Sequence, residues 1–423
     1  MTEFFIVIGR SYEDLEVYGS KGTIFLGKKG ALKIFLDVVR SHLIIICGDR
    51  GSGKSYTMGV IAEGLANLPE EVRDKISTLL IDTMGIFYTM KYPNERDEEL
   101  LKEWGLKPKG LNVRVFIPKG YEESFKDKGV PYDFTYSFKP SDLEAMDWCL
   151  AFDLKMTDPA AILIQKIVGK LRETRGEDYT IDDMIELAEK DKTASRDAKN
   201  LAINMLLSAK NWGLFYEEEF KVSKLIKPGY VNVLDVSCYT EVTGGWSVRA
   251  LVLGLVAREI FKERMVARRL EELIEIGEIS EAEVEKIPMV WMMIDEAHQF
   301  LPKEGVTPAT APLLQWIREG RQPGLTLILT TQRPGELHPD ALSQSDVVIA
   351  HRLTAKPDID ALGRIIMITT PENIGQLMRR LERIKGIAIV LDANQEKIYS
   401  MRVRPRTSWH GGGTPSALKP EKF

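Results

Sequence analysis

Cysteine, histidine and long apolar runs are all scarce in this chain of 423 residues. Cys47, Cys149 and Cys238 show no C-x-x-C spacing and are too few for a disulfide framework. Histidines such as His42 and His338 have no metal-ligand partner at a telling interval, which argues against zinc. No apolar run approaches the ~20 residues that span a bilayer, and the N-terminus lacks a basic region followed by an apolar signal core. These absences predict a cytoplasmic protein with no membrane span.

An excess of basic residues is missing as well. The chain has 57 lysines and arginines against 62 aspartates and glutamates, a formal net charge of −5 and a pI near 5.8. A small nucleic-acid-binding domain usually has a basic surface, so the overall charge does not indicate one. The length is sufficient for a large core with an inserted subdomain, because single cores seldom exceed about 250–300 residues.

The most informative segment is a glycine-rich loop of the form G-x-x-x-x-G-K-S at residues 48–55. An apolar run at 43–47 precedes it and a helical pattern from Tyr56 follows, which is the strand–loop–helix context that this motif requires. In that geometry, loop N–H groups and the helix N-terminus attract phosphate oxygens. The sequence therefore predicts ATP binding by Gly48, Asp49, Arg50, Gly51, Ser52, Gly53, Lys54, Ser55 and Tyr56.

Two side chains of this loop have predicted roles of their own. Lys54 would neutralise the β and γ phosphates of the nucleotide. Ser55 would offer its hydroxyl to Mg²⁺, a cation that prefers oxygen ligands. The alternative is an unrelated glycine turn, and the flanking strand and helix patterns disfavour it.

A second motif follows the apolar strand pattern at 289–294, where Asp295 and Glu296 form the end of a Walker B element. Asp295 would anchor the hydration shell of Mg²⁺, and Glu296 would orient and polarise the attacking water. The alternative is an acidic pair that caps the next helix. The apolar run before the acids favours the Walker B interpretation, and Glu296 indicates hydrolysis.

A third motif is the strand pattern at 325–330, which ends in Thr-Thr-Gln and places Gln332 where it can sense a γ-phosphate. Just before this strand, a helix that glycine and proline terminate leaves Arg321 near an exposed helix end. Arg321 is either an arginine finger for the neighbouring subunit's nucleotide or a cation that complements the helix C-terminus. Spacing alone leaves both roles open.

Residues 295–298 also spell D-E-A-H, the signature of a large superfamily of two-lobed helicases. Such an enzyme needs a second motor lobe that ends in Q-x-x-G-R-x-G-R, and the sequence contains no such string. His298 is therefore interpreted as a helix-start residue. The order of the three motifs instead indicates a RecA-type motor fold.

Short apolar strand patterns alternate with helical stretches over most of the chain, which predicts an α/β fold. Its core would be RecA-like and of the P-loop NTPase type, a mainly parallel sheet flanked by helices. Strand signals disappear between about 140 and 228, which predicts an α-helical insertion, and a charged pattern at 251–276 predicts a long exposed helix. The predicted units are a short N-terminal segment (1–38), the first core part with the P-loop (39–139), the insertion (140–228), the second core part (229–404) and a C-terminal tail (405–423).

Together these motifs resemble the HerA branch of the HerA/FtsK ATPases, over roughly residues 24 to 412. The resemblance implies a homohexameric ring that moves duplex DNA through its channel, often with a nuclease partner of the NurA type. It also favours Arg321 over Arg318 as the finger that acts in trans. The residues that carry it are the loop at 48–55, I-D-E-A-H-Q-F-L-P at 294–302, R-E-G-R at 318–321, T-T-Q-R-P at 330–334 and H-R-L-T at 351–354.

Two departures from the family pattern affect these expectations. HerA proteins usually begin with a small β-barrel that helps to dock the nuclease, and the segment ahead of Leu26 is too short for one, which weakens the expectation of a standard NurA-type partnership. Asp49 and Arg50 replace small or neutral residues, and could change nucleotide preference or hold Arg50 in a local ion pair. Lys91 and Lys303 are candidate channel contacts with DNA.

Two other functions are compatible with the same motifs. One is a nucleotide-gated oligomeric scaffold that recruits a nuclease or another effector. The other is a soluble ATPase that pumps protein through a secretion or conjugation apparatus.

Overall fold

The computed structural model describes residues 5–218, 220–242, 244–366, 374–381 and 384–413. In this part of the chain, a single 13-stranded sheet is covered by helices. Its strands are β1 (Phe5–Ile8), β2 (Thr23–Lys29), β3 (Leu32–Asp37), β4 (Leu43–Cys47), β5 (Ile76–Asp82), β6 (Val113–Pro118), β7 (Phe134–Tyr136), β8 (Val231–Asp235), β9 (Met289–Ile294), β10 (Leu325–Thr331), β11 (Val347–His351), β12 (Ile387–Asp392) and β13 (Lys397–Val403).

Helices connect most of these strands. They are α1 (Tyr12–Tyr18), α2 (Lys54–Ala66), α3 (Glu70–Arg73), α4 (Glu98–Glu103), α5 (Glu122–Asp127), α6 (Ala145–Ala151), α7 (Pro159–Arg175), α8 (Ile181–Lys190), α9 (Arg196–Lys210), α10 (Gly245–Glu275), α11 (Thr310–Glu319), α12 (Pro339–Ser343), α13 (Lys356–Ile366) and α14 (Ile374–Arg380).

The strand order is β1-β3-β2-β13-β12-β11-β4-β10-β9-β5-β8-β6-β7. Every pair from β11 to β7 is parallel, whereas the pairs from β3 to β11 on the other side are antiparallel. Strand β4 shows why the centre must be apolar throughout, because Ile45 packs in the core on one face and Ile44 in the core on the other. The predicted α/β fold with a mainly parallel RecA-like core is confirmed.

Helices α6 to α9 occupy the chain between β7 and β8, and no strand lies between these two among the residues that the structure describes. Their apolar side chains join the core on one face of the sheet, while α2 packs on the other face. Stacked rings join α6 to the segment that follows α9, and the ring centroids of Trp148 and Phe215 are 5.2 Å apart. The division of the chain into domains stays an interpretation.

Helix α10 differs from the exposed helix predicted at 251–276. It begins at Gly245, and its first half is almost entirely buried. Arg264 is also buried, because its Nε donates to the carbonyl oxygen of Pro323 at 2.7 Å and its Nη1 donates to Glu271 at 2.9 Å. The alternating charges therefore include one buried arginine, which donates to the carbonyl oxygen of the buried Pro323 and to the partly exposed Glu271.

The two ends of the described chain both pack on the core. Strands β1 to β3 extend the sheet, and β13 pairs with β2. The predicted tail begins at 405, yet Arg406 and Ser408 are buried, and both bond to the carboxylate of Glu63 in α2. A buried carboxylate must be paired, and this segment provides its partners. The last ten residues of the predicted tail lie outside the described residues.

Candidate nucleotide-binding site

Three neighbouring parallel strands bring the predicted motifs together. β4 leads into the P-loop, β10 beside it ends next to Gln332, and β9 beside β10 ends at Asp295 and Glu296. In open α/β sheets, the crevice at the carboxyl ends of the strands is where ligands bind. The structure therefore gathers Lys54, Ser55, Asp295, Glu296 and Gln332 at one edge of the sheet.

The loop glycines have backbone angles that other residues rarely adopt, with φ of 154° at Gly48 and 116° at Gly53. A Cβ atom on Gly48 would lie 2.5 Å from Ser52 Oγ and 2.7 Å from His351 Cβ. The N–H of Asp49 donates to the carbonyl oxygen of Arg352 at 2.8 Å, which ties the loop to the segment after β11. Close packing and φ angles both require glycine here.

Lys54 is buried at the start of α2, and its Nζ donates to the carbonyl oxygen of Asp49 at 3.2 Å. Burial lowers the pKa of Lys54, and the nearby carboxylates of Glu296 and Asp295 oppose that shift. The ammonium thus stands between the loop and the acidic pair, where a phosphate can compensate its charge.

Asp295 holds three groups in a fixed arrangement. Its Oδ2 accepts from Ser55 Oγ at 2.8 Å, and its Oδ1 accepts from Thr330 Oγ1 and from the N–H of Glu296. A hydroxyl and a carboxylate at the start of the P-loop helix are the oxygen donors that suit Mg²⁺. Among the described residues, no group of three or more histidines, cysteines or acids could hold a metal ion.

Glu296 adopts the left-handed conformation, with φ 50° and ψ 45°. Such a conformation costs about 1–3 kcal/mol in a residue other than glycine and is concentrated at functional sites. Its Oε1 accepts from Gln332 Nε2 at 2.5 Å, while its buried Oε2 has no hydrogen-bond partner among the described residues. Burial, followed by the charge of Asp295, raises the pKa of Glu296. Oε2 lies 3.6 Å from Nδ1 of His298, and it is suited to accept a hydrogen bond from a water molecule.

Three other predicted residues have different surroundings. Tyr56 accepts a hydrogen bond at its hydroxyl from the N–H of Arg406 at 2.6 Å, so the C-terminal segment holds it. Arg50 is exposed and makes no ion pair with the described residues, so of the two consequences expected from the sequence, the local ion pair is not formed. His298 lies in a short turn with Nδ1 3.0 Å from Thr331 Oγ1, and burial lowers its pKa.

His351 is a contact residue of the loop that motif reasoning did not assign to the site. Its ring is buried. Nε2 lies 2.8 Å from Thr57 Oγ1, and Nδ1 lies 3.1 Å from the carbonyl oxygen of Ile387. Burial lowers its pKa to about 4. The neutral ring therefore donates to the carbonyl and accepts from Thr57. The sequence offered two signals, the place of His351 at the end of an apolar strand and the H-R-L-T segment at 351–354, but the pairing of β11 with β4 could not be read from either.

Arg321 is not brought to the P-loop of its own chain. It precedes β10 at the amino edge of the strands, its side chain is 73% exposed, and it forms an ion pair with Asp346. The neighbouring Arg318 pairs with Asp340 at 2.6 Å. The position of Arg321 is compatible with a role on another subunit.

Comparison with known proteins places these features in a family context. The family model described as "Helicase HerA, central domain" matches residues 22–250, more than half of the chain. The chain is 30% identical over 165 residues to the DNA double-strand break repair helicase HerA of Pyrococcus furiosus. It is 28% identical over 156 residues to the probable DNA double-strand break repair helicase HerA of Methanocaldococcus jannaschii. These matches cover 36% and 33% of this chain, but only 29% and 28% of the two relatives.

Two solved structures share the fold. VirB4 of Thermoanaerobacter pseudethanolicus is 11% identical, with a TM-score of 0.56 over 91% of this chain and 97% of that protein. The bacterial conjugative coupling protein TrwBdeltaN70 is 12% identical, with a TM-score of 0.53 over 97% and 95%. Both likenesses concern the fold alone. Among the described residues, no helix combines the length and apolarity needed to cross a membrane.

Proposed function

The chain belongs to the family of the HerA helicase central domain, within the HerA/FtsK-type ATPases, and we propose that it is an ATP-hydrolysing ring motor that acts on duplex DNA. The observation that carries this proposal is the cluster of Lys54, Ser55, Asp295, Glu296 and Gln332 at the carboxyl edge of β4, β10 and β9. Each side chain supplies a group that phosphoryl transfer to water requires.

Lys54 balances the charge of the terminal phosphates, and the loop N–H groups bind their oxygens. Ser55 and Asp295 would hold Mg²⁺, which neutralises charge on the β and γ phosphates when it is bound. Glu296 accepts a hydrogen bond from the attacking water at Oε2, and Gln332 keeps the carboxylate oriented through Oε1. The left-handed backbone of Glu296 directs this carboxylate to its place beside Asp295.

The motor would act as a homo-oligomer, and we propose a hexamer. An exposed arginine at the amino edge of the sheet can reach only the nucleotide of a neighbouring subunit, where it would stabilise charge in the transition state. Arg321 is therefore proposed as the arginine finger in trans. Its exposure supports this role over a contact within its own site.

Duplex DNA is the proposed track, because the named relatives are DNA double-strand break repair helicases. The net charge of −5 does not oppose this, since a ring multiplies each basic residue of its channel. Lys303 is exposed and remains a candidate channel contact. Lys91, the other candidate, forms an ion pair with Asp133, in which Nζ lies 2.9 Å from Oδ2. A nuclease partner of the NurA type belongs to the same proposal.

Steady-state ATP hydrolysis tests this proposal. Purified protein is assayed at low and moderate salt, with and without linear duplex DNA, and Glu296→Gln is the inactive control. We expect DNA to stimulate hydrolysis, salt to reduce the stimulation, and Glu296→Gln to bind ATP without turnover. Hydrolysis that is indifferent to DNA would favour a protein pump. A ring that assembles on ATP and activates a partner in the Glu296→Gln form would favour a nucleotide-gated scaffold.

A further inference from the structure

Two arginine–aspartate ion pairs lie near the C-terminal end of α11, Arg321–Asp346 and Arg318–Asp340. The two aspartates differ in how firmly the surrounding structure holds them. Asp346 directly precedes β11, and its main chain is fixed on both sides: its N–H donates to the carbonyl oxygen of Leu43, and its carbonyl oxygen accepts from the N–H of Ala393, both at 2.9 Å. Its side chain is only 7% exposed. The carboxylate therefore stands on a rigid part of the sheet.

The two oxygens of the Asp346 carboxylate have different hydrogen-bond partners. Oδ2 accepts from the N–H of Leu43 at 2.9 Å and lies 3.9 Å from Nδ1 of His42. The other ring nitrogen of His42 lies 3.0 Å from the buried Asp37. Oδ1 accepts from Nη2 of Arg321. The backbone thus fixes one oxygen, and the other is presented to the guanidinium.

Arg321 is anchored at one nitrogen only. Among the described residues, its Nε and Nη1 form no hydrogen bond, and 73% of the side chain is exposed. A guanidinium has five N–H donors in a rigid fork, so the bond at Nη2 leaves donors available for an oxyanion. A cavity of about 350 Å³ opens beside both residues.

We propose that Asp346 is a positioning residue for Arg321: it anchors Nη2 and orders the side chain, so that the remaining donors meet the phosphates of the neighbouring subunit. This inference rests on the proposed role of Arg321 in trans. An arginine that is ordered in advance loses less freedom in the transition state, so its anchor acts on turnover and leaves substrate binding unchanged.

The chain contains a matched control. Arg318 lies one turn earlier, and its Nε and Nη2 both donate to Oδ2 of Asp340, at 3.0 and 2.6 Å. Asp340 is more exposed than Asp346, at 28%, and lies on the short helix α12. Asp340→Asn therefore removes an arginine partner of the same type without changing the carboxylate that contacts Arg321.

The test measures kcat and KM for ATP in wild-type protein, Arg321→Ala, Asp346→Asn, the double variant and Asp340→Asn. We expect Arg321→Ala to reduce kcat by about 10³-fold or more. Asp346→Asn keeps an oxygen for the N–H of Leu43 and should reduce kcat about tenfold, with KM nearly unchanged. The double variant should match Arg321→Ala, and Asp340→Asn should match wild type.

A second substitution, Asp346→Glu, keeps the charge but displaces the carboxylate by one methylene. It should also lower kcat, while the Tm and the assembly of the ring stay unchanged. Full activity in Asp346→Glu, or a further loss on adding Asp346→Asn to Arg321→Ala, overturns the positioning role. Unchanged kcat in Asp346→Asn alone does the same. If Arg321→Ala itself is fully active, the finger in trans fails, and this inference fails with it.

Discussion

Gln332 Nε2 donates to Oε1 of Glu296 at 2.5 Å, which joins the end of β10 to the acid at the end of β9. Burial and the charge of Asp295 raise the pKa of Glu296, and the bond from Gln332 opposes this rise. Gln332 therefore orients the carboxylate and also favours its ionised form. This is a role in addition to the γ-phosphate sensor expected from the sequence.

The pH dependence of turnover should report this contact. In the proposed mechanism Glu296 must be ionised to act on water, so kcat should fall as pH decreases through its pKa, which lies above the usual value. Gln332→Ala removes a donor that stabilises the anion, which raises the pKa further and moves the acidic limb of the kcat profile to higher pH. Gln315→Ala removes an amide that bonds Glu319 on α11 and should leave the profile in place. An acidic limb that does not move in Gln332→Ala would refute the coupling.

Lys54 and Arg50 should differ sharply in their effect on nucleotide affinity. Lys54 is buried between the loop and the acidic pair, whereas Arg50 is exposed. A hydrogen bond to a charged group contributes about 1.5–3 kcal/mol, so Lys54→Ala should weaken ATP binding by about tenfold or more. Arg50→Ala should change the Kd by less than about threefold, because only its backbone is part of the loop. Titration of a fluorescent ATP analogue measures both, and equal losses would contradict this assignment.

The packing of α2 against the C-terminal segment predicts an unusual response to a glycine substitution. A Cβ on Gly59 would lie 2.6 Å from Nη1 of Arg406, which is buried and cannot move away because it bonds Glu63, Ser408 and Trp409. Gly59→Ala should therefore lower the free energy of unfolding by about 1–3 kcal/mol, despite the better helix propensity of alanine.

Gly169 in α7 is the matched control for this substitution. A Cβ there meets nothing within 4 Å, so Gly169→Ala should raise the free energy of unfolding by about 0.5–1 kcal/mol. Urea denaturation measures both variants. Stabilisation by Gly59→Ala would show that the segment around Arg406 does not pack on α2 as described.

The sequence was most informative where the pattern was local. The strands predicted at 43–47 and 289–294 have these bounds in the structure, because each is a continuous apolar run that ends directly before a motif residue, Gly48 or Asp295. The order of motifs also predicted correctly that the core is RecA-like. The placement of β10 between β4 and β9 gathers the site, and the pairing of β10 with β4 joins residues hundreds of positions apart, such as Leu327 and Leu43.

The burial of some charged side chains was not predicted, because their hydrogen-bond partners lie far away along the chain. Glu63 reads as a polar residue of an ordinary helix, yet it is fully buried because Arg404 and Arg406 reach it from the other end of the chain. The run of alternating charges around Arg264 likewise suggests an exposed side chain, but its guanidinium donates a hydrogen bond to the carbonyl oxygen of Pro323. Charge and periodicity along one helix do not reveal which partners the fold brings from elsewhere.

Displacement of a third strand from a DNA triplex would test whether the protein moves on duplex DNA. The substrate is a linear duplex with a triplex-forming strand at one end, and the readout is release of that strand over time with ATP. A motor should release it with ATP, should fail with Glu296→Gln, and should lose activity in Arg321→Ala. ATP hydrolysis at full rate on this substrate without any release of the strand would mean that the protein does not translocate on DNA.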